Sequence, residues 1–294
     1  MKKYIRIFTP DNFSFHATVN SHGWRQLAPF QYDEQRKILH RVHQLRTGKV
    51  VKVSFSDEAN DCITVKAELA SLTPPEQAEI RSITRTIFNL DLDLTEFYDL
   101  VRNEEEFAWV DPAGAGRLLR SPTVWEDLAK TLLTTNTTWG NTRKMVSQLT
   151  SLGKPFSSED AAFPAPEQVA ELSPEDLGER VKAGYRTEYL HDLSIKISWG
   201  DIDVEHWDSP ELSSEELFAK IKNLKGFGPY AAGATLKLLG HFDMLALDSV
   251  ARSYYAEMHN HGEPVSDSDI RDHYQSYGRW KGLVLWMDIL KHAQ

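Results

Sequence analysis

Asp248 follows a short apolar segment, Met244 to Leu247, and precedes a helix-forming stretch, SVARSYY. A carboxylate in that position has two readings. It caps the helix, a common role for an aspartate there. Or, held beside an apolar pocket and facing a ligand, it stabilises positive charge developing on a sugar or activates water.

The second chemically suggestive stretch lies upstream, SSEELFAKIKNLKGFGPYAAGATLKLLG, residues 213–240. Ser213 and Glu216 form a capping box, and Leu217, Ile221 and Leu224 then share a helix face. Gly226-Phe227-Gly228 breaks the pattern, and Pro229 suits the first position of a second helix, where a missing N–H costs nothing. Two helices joined so tightly aim several free N–H groups one way. With the second helix's dipole they make an anion site that needs no basic side chain, sized for a phosphate. The alternative is a plain helical hairpin with a glycine cap.

These features need elements to hold them. The chain has 294 residues, which favours two domains. Its composition, 41% hydrophobic and 26% charged, is globular. The single cysteine, Cys62, excludes an internal disulfide framework, a four-cysteine zinc site and a cysteine-ligated iron–sulfur cluster. No apolar run approaches the ~20 residues of a membrane span, and the opening MKKYIRIFTPDNFSF lacks the apolar core of a signal peptide. The expectation is a soluble, intracellular protein with no membrane partner. Lys plus Arg number 33 and Asp plus Glu 43, a net charge of −10. A broad basic surface is excluded, so any recognition of nucleic acid must rest on a local site.

The sequence predicts an α+β protein with a small antiparallel-sheet domain over 1–105 and a mostly helical domain over 106–294. YIRIF, FSFHATV, KILHRVHQL, VVKVSF and CITVKAEL read as strands, with turns at Arg46–Lys49 and Asp57–Asp61. Thr73-Pro74-Pro75-Glu76 opens the first long helix. SPTVWEDLAKTLL, PEQVAEL, SPEDLGERV, TEYLHDLSIKI and SDIRDHYQSYGRW read as further helices. Residues 110–116 and 153–167 read as the most exposed connections.

The segment Leu224–Arg252 resembles the helix–hairpin–helix superfamily of base-excision DNA glycosylases. Two further stretches agree, in order. TTNTTWGNTRKMVSQL, residues 134–149, is similar to a segment of the oxoguanine glycosylase branch, with Asn136 at the asparagine that fills the gap left by the extruded base. In residues 163–190, Gly184-Tyr185-Arg186 is similar to a signature in which the tyrosine wedges into the duplex and the arginine meets the orphaned partner base. The similarity covers roughly 115–290 and is faint before it, around Ser21-His22-Gly23-Trp24.

The resemblance implies a DNA-repair enzyme that binds double-stranded DNA through Lys225, Gly226, Gly228 and Tyr230. It implies that Asp248 is the catalytic residue, stabilising the oxocarbenium-like sugar and orienting water as the N-glycosidic bond of an alkylated or oxidised purine breaks. Members that also cut the strand carry a lysine where Tyr230 stands, so a monofunctional glycosylase is expected, without lyase activity. The family's second arginine is replaced by Asn141, so no preference for a base opposite cytosine is implied. Tyr230, Trp280 and Trp286 are the expected pocket aromatics, drawn from a wider set that includes Trp139 and Tyr277. No cofactor is required. The backbone carbonyls of Lys222, Leu224 and Phe227 are expected to hold a monovalent cation when DNA is bound. The chain is expected to be a monomer associated with DNA in cytoplasm, nucleoid or nucleus. A non-catalytic DNA-binding or damage-sensing protein is the alternative.

Overall fold

A computed structural model describes residues 4–59, 61–69, 71–209 and 211–293. Asn60, in the turn expected over Asp57–Asp61, lies outside the described residues. The protein is α+β and divides into two compact units, Met1–Asp91 with Arg117–His206, and Leu92–Gly116 with Trp207–Gln294. Each unit uses two separate stretches of chain, whereas the sequence suggests a single cut between 105 and 106. The reason lies in the packing of the helix Thr95–Val101, which buries Phe97, Tyr98 and Val101. Phe97 meets Trp280 with ring centroids 5.6 Å apart.

In the first unit, β1 (Tyr4–Phe8), β2 (Phe30–Asp33), β3 (Ile38–Gln44), β4 (Val50–Ala59) and β5 (Cys62–Ala67) form one antiparallel sheet in the order β1-β5-β4-β3-β2. FSFHATV is not a strand. Residues Phe15–Val19 form a short helix, α1, because Phe15, Thr18 and Val19 bury one face at helical spacing and the Ser14 side chain accepts the Ala17 amide hydrogen bond at 3.1 Å. Phe15 stacks on Phe88 at 5.3 Å, and Phe55 reaches Phe88 from β4 at 5.4 Å. The strand missed from sequence is β2, a short edge strand.

Helix α2 (Pro74–Ile87) is followed in this unit by α4 (Val124–Thr134), α5 (Trp139–Thr150), α6 (Pro166–Ala170), α7 (Pro174–Val181) and α8 (Arg186–Ser198). A buried ion cluster fixes α4 to β3. Arg41 donates twice to Glu126, at 2.9 and 2.7 Å, and Lys130 donates to the same carboxylate at 2.7 Å. Burial opposes the charge on Glu126, but the two cations win and hold its carboxyl down at about 2. Removing one partner of so enclosed a cluster would strand charge in the core.

The second unit contains α3 (Thr95–Val101), α9 (Ser214–Lys222), α10 (Pro229–Leu238), α11 (Ser249–His259), α12 (Asp267–Tyr274) and α13 (Lys281–Ala293). The stretch SDIRDHYQSYGRW is not one helix, because Gly278 takes a left-handed φ of 54° and separates α12 from α13. The connection 110–116 is less exposed than expected, with Val110 and Ala115 buried. Among the described residues no helix is long and apolar enough to cross a membrane.

Candidate functional site

The turn between α9 and α10 is built by burial at two points and exposure between them. Leu224 and Phe227 are buried, while Lys225, Gly226 and Gly228 are exposed. The Phe227 amide donates to the Leu224 carbonyl at 3.2 Å, and Gly226 adopts a φ of 86°, which a side-chain-bearing residue resists. Helices α9, α11 and α12 are each capped by a side chain, from Ser213, Asp248 and Ser266. Helix α10 has Gly228 at its N-cap and so has no side-chain cap. Its first-turn donors are therefore left for solvent or an anion.

Asp248 reads in both of the ways its sequence context allows. One carboxylate oxygen accepts the Ala251 amide at 2.8 Å, capping α11. Tyr230, in the first turn of α10, lies close enough to this carboxylate to feel its charge. Burial, and then the Asp248 charge, push the Tyr230 phenol up to about 12. Both side chains are half-buried.

Close approaches fix the segment that carries Asp248. A Cβ on Gly233 would lie 3.1 Å from Ala246, so α10 lies against that segment. On another side the Gly282 amide donates to the Phe242 carbonyl at 2.7 Å, and a Cβ there would lie 2.6 Å from the same oxygen. Gly282 lies in the first turn of α13, and Trp286 follows one turn later on the same face.

The ring of Trp286 carries a cation that the sequence had not placed there. The Lys237 ammonium lies 3.6 Å from the ring centroid. Lys237 is two turns beyond Tyr230 on α10, with Ala234 between them, so phenol, methyl and amine share a face. Burial lowers the Lys237 amine to about 7, and the Asp248 charge opposes that shift. The signal available in sequence was the spacing of 230, 234 and 237. Trp280 does not join this group. It is buried and stacked on Phe242 at 5.6 Å, part of the core. Tyr277 donates to Glu104 at 2.6 Å, and Trp139, in the first unit, donates to Gln26 at 2.7 Å.

In the first unit Asn136 and Tyr185 come together. Both are exposed, and the Asn136 amide lies 3.4 Å from the Tyr185 hydroxyl. Asn136 has a φ of 45°, left-handed backbone that asparagine tolerates better than most residues. Arg186 does not project outward. It is buried, stacks on Tyr185 at 4.5 Å, and donates to the carbonyls of Thr135 and Asn136, the latter at 3.0 Å. In this structure it ties down the turn that presents Asn136.

No family model matches the sequence. No curated protein matches it either. Solved structures do. The 3-methyladenine DNA glycosylase of Archaeoglobus fulgidus matches at 18% identity and TM-score 0.78, covering 97% of each chain. The apo 8-oxoguanine glycosylase/lyase of Clostridium acetobutylicum matches at 19% identity and TM-score 0.74, covering 98% of this chain and 96% of that one. The Schizosaccharomyces pombe 3-methyladenine DNA glycosylase bound to abasic DNA matches at 17% identity and TM-score 0.53, covering 65% and 93%. The chain has the fold of the helix–hairpin–helix DNA glycosylases.

Proposed function

We propose that the protein is a monofunctional DNA glycosylase that everts a damaged purine, alkylated or oxidised, from duplex DNA and hydrolyses its N-glycosidic bond. The observation that carries this reading is the nearness of the half-buried Asp248 carboxylate to Tyr230 in the first turn of α10, the helix without a side-chain cap. A phosphate gripped by the Gly226, Gly228 and Tyr230 amides would bring a nucleoside up to that carboxylate. Extrusion costs least where damage has weakened pairing or stacking. Asn136 and Tyr185 fill the vacated space, and Arg186 steadies the turn that carries Asn136. As the glycosidic bond stretches, Asp248 stabilises the cationic sugar and takes a proton from the attacking water. Tyr230 offers stacking surface to the base, and Trp286 does so on the face that Lys237 does not cover.

Tyr230 occupies the position where a strand-cutting member would carry its attacking lysine, which supports hydrolysis without strand cleavage. The carbonyls of Lys222, Leu224 and Phe227 are hard oxygen donors at an exposed turn, and Leu224 spends one lone pair on the Phe227 amide. They fit a monovalent cation, which would screen the nearby phosphate. We propose a monomer that works on DNA inside the cell.

The test is a panel of duplexes carrying 8-oxoguanine, alkylated purines or uracil, followed by alkaline cleavage of abasic sites. Release that disappears in Asp248→Asn supports the enzyme. Lesion binding without release across the panel would identify a damage sensor instead.

A further inference from the structure

We infer that Lys237 sets the substrate class of this site, selecting damaged bases that are neutral over alkylated bases that carry a positive charge. The inference rests on the glycosylase reading above and deepens it.

An aromatic pocket attracts a cationic base through the electron-rich faces of its rings. Here such a face is already taken. The Lys237 ammonium sits 3.6 Å from the Trp286 centroid, where a stacked cation would seek its attraction. The countercharge is Asp248, whose charge reaches both Lys237 and Tyr230 on one face of α10. A 7-methylguanine or 3-methyladenine nucleoside is cationic, so entry would set like charges together. A neutral base with carbonyl oxygens, such as 8-oxoguanine or hypoxanthine, instead accepts a hydrogen bond from the ammonium.

The same cation suits the chemistry of a neutral leaving group. When the C1′–N bond breaks, its electron pair goes to the base, and a neutral purine departs as an anion. With the base beside Trp286, the Lys237 ammonium would offset that charge and give a proton to the base nitrogen. Water adds to C1′, its proton passes to Asp248, and transfer from Asp248 to Lys237 closes the cycle. A cationic alkylpurine departs neutral and gains nothing from Lys237. Burial brings the amine to about 7, so it gives up its proton readily near neutrality.

The experiment compares single-turnover release of 7-methylguanine with release of 8-oxoguanine and hypoxanthine by wild type, Lys237→Met, Lys237→Gln and Lys237→Arg. Thermal melts check that each variant is folded. Wild type should prefer the neutral bases. Both uncharged variants should shift the ratio toward 7-methylguanine by about tenfold or more, while Lys237→Arg, which keeps the charge but not the readily released proton, should shift it less. Release by wild type with a ratio that neither uncharged variant moves would overturn this inference alone. If wild type releases no base, and binds damaged and undamaged duplexes alike, the glycosylase reading falls and this inference with it.

Discussion

The Asp248 carboxylate caps α11 through the Ala251 amide at 2.8 Å, and its charge also reaches the Tyr230 phenol in the first turn of α10. One side chain therefore carries a structural and a proposed chemical duty, and a single substitution separates them. Asparagine caps a helix about as well as aspartate but has no charge. Asp248→Asn should keep its melting temperature while base release falls by about 10²–10⁴-fold. Asp248→Ala should lose the same activity and, in addition, about 1 kcal/mol of stability in denaturant titration. Comparable stability loss in both variants, with release intact in Asp248→Asn, would leave capping as the only role.

Tyr230 also supplies a gain-of-function test. It is half-buried and points at Asp248 from the first turn of α10. A lysine there would bring an amine to the sugar carbon, so Tyr230→Lys should form a borohydride-trapped covalent complex with lesion-bearing DNA. Wild type should form none. A wild-type adduct that vanishes in Lys237→Met would assign the nucleophile to Lys237 and overturn the monofunctional proposal.

The parts of this site that were legible in the sequence are those fixed by a few consecutive residues. The two glycines of the 226–228 turn, Pro229 at a helix start and Asp248 before α11 are local backbone requirements, and a local pattern reveals them. Lys237 is not legible in this way, because its importance comes from Trp286 and Asp248, residues far along the chain that folding brings to it. Trp280 and Trp286 are indistinguishable by type and nearness in sequence, yet only Trp286 is half-exposed beside Lys237, while Trp280 is buried against Phe97 and Phe242. FSFHATV misled for a related reason. A short apolar run fits strand or helix equally, and stacking of Phe15 on Phe88 decided it.

Arg186 makes a prediction about positioning. Its guanidinium satisfies the carbonyls of Thr135, Asn136 and Ala183, and so holds the left-handed turn at Asn136. Arg186→Ala should cost about 1–2 kcal/mol by leaving partly buried acceptors unpaired. It should also weaken binding to an abasic duplex, because Asn136 loses its support. Lysine cannot reproduce the planar fork, so Arg186→Lys should recover little of either loss. Unchanged stability in both variants, with weakened binding, would show that the arginine acts directly on DNA instead.

Lys237 should destabilise the fold it serves. Its amine stands at about 7, far below the ordinary 10.5, because burial penalises the charged form more than Asp248 rewards it. The direction of the pH effect follows from proton counting. Below about 7 both folded and unfolded chains hold the proton, and the folded chain bears the full cost of an enclosed charge. Between about 7 and 10.5 the unfolded chain keeps the proton that the folded chain releases, so stability attributable to this group rises with pH. Lys237→Met removes the cost at every pH. Because Lys237 keeps some exposure, the gain below pH 7 should be about 1–2 kcal/mol. Urea titrations of wild type and Lys237→Met at pH 6.5, 8 and 9.5 should give curves that differ most at the lowest pH and converge upward. Across the same range, deprotonation should lower the barrier to cationic bases, so the wild-type preference for neutral lesions should weaken as the stability gap closes. A stability gap independent of pH would mean that Lys237 titrates as an ordinary surface amine. Its charge could not then be acting from inside the pocket.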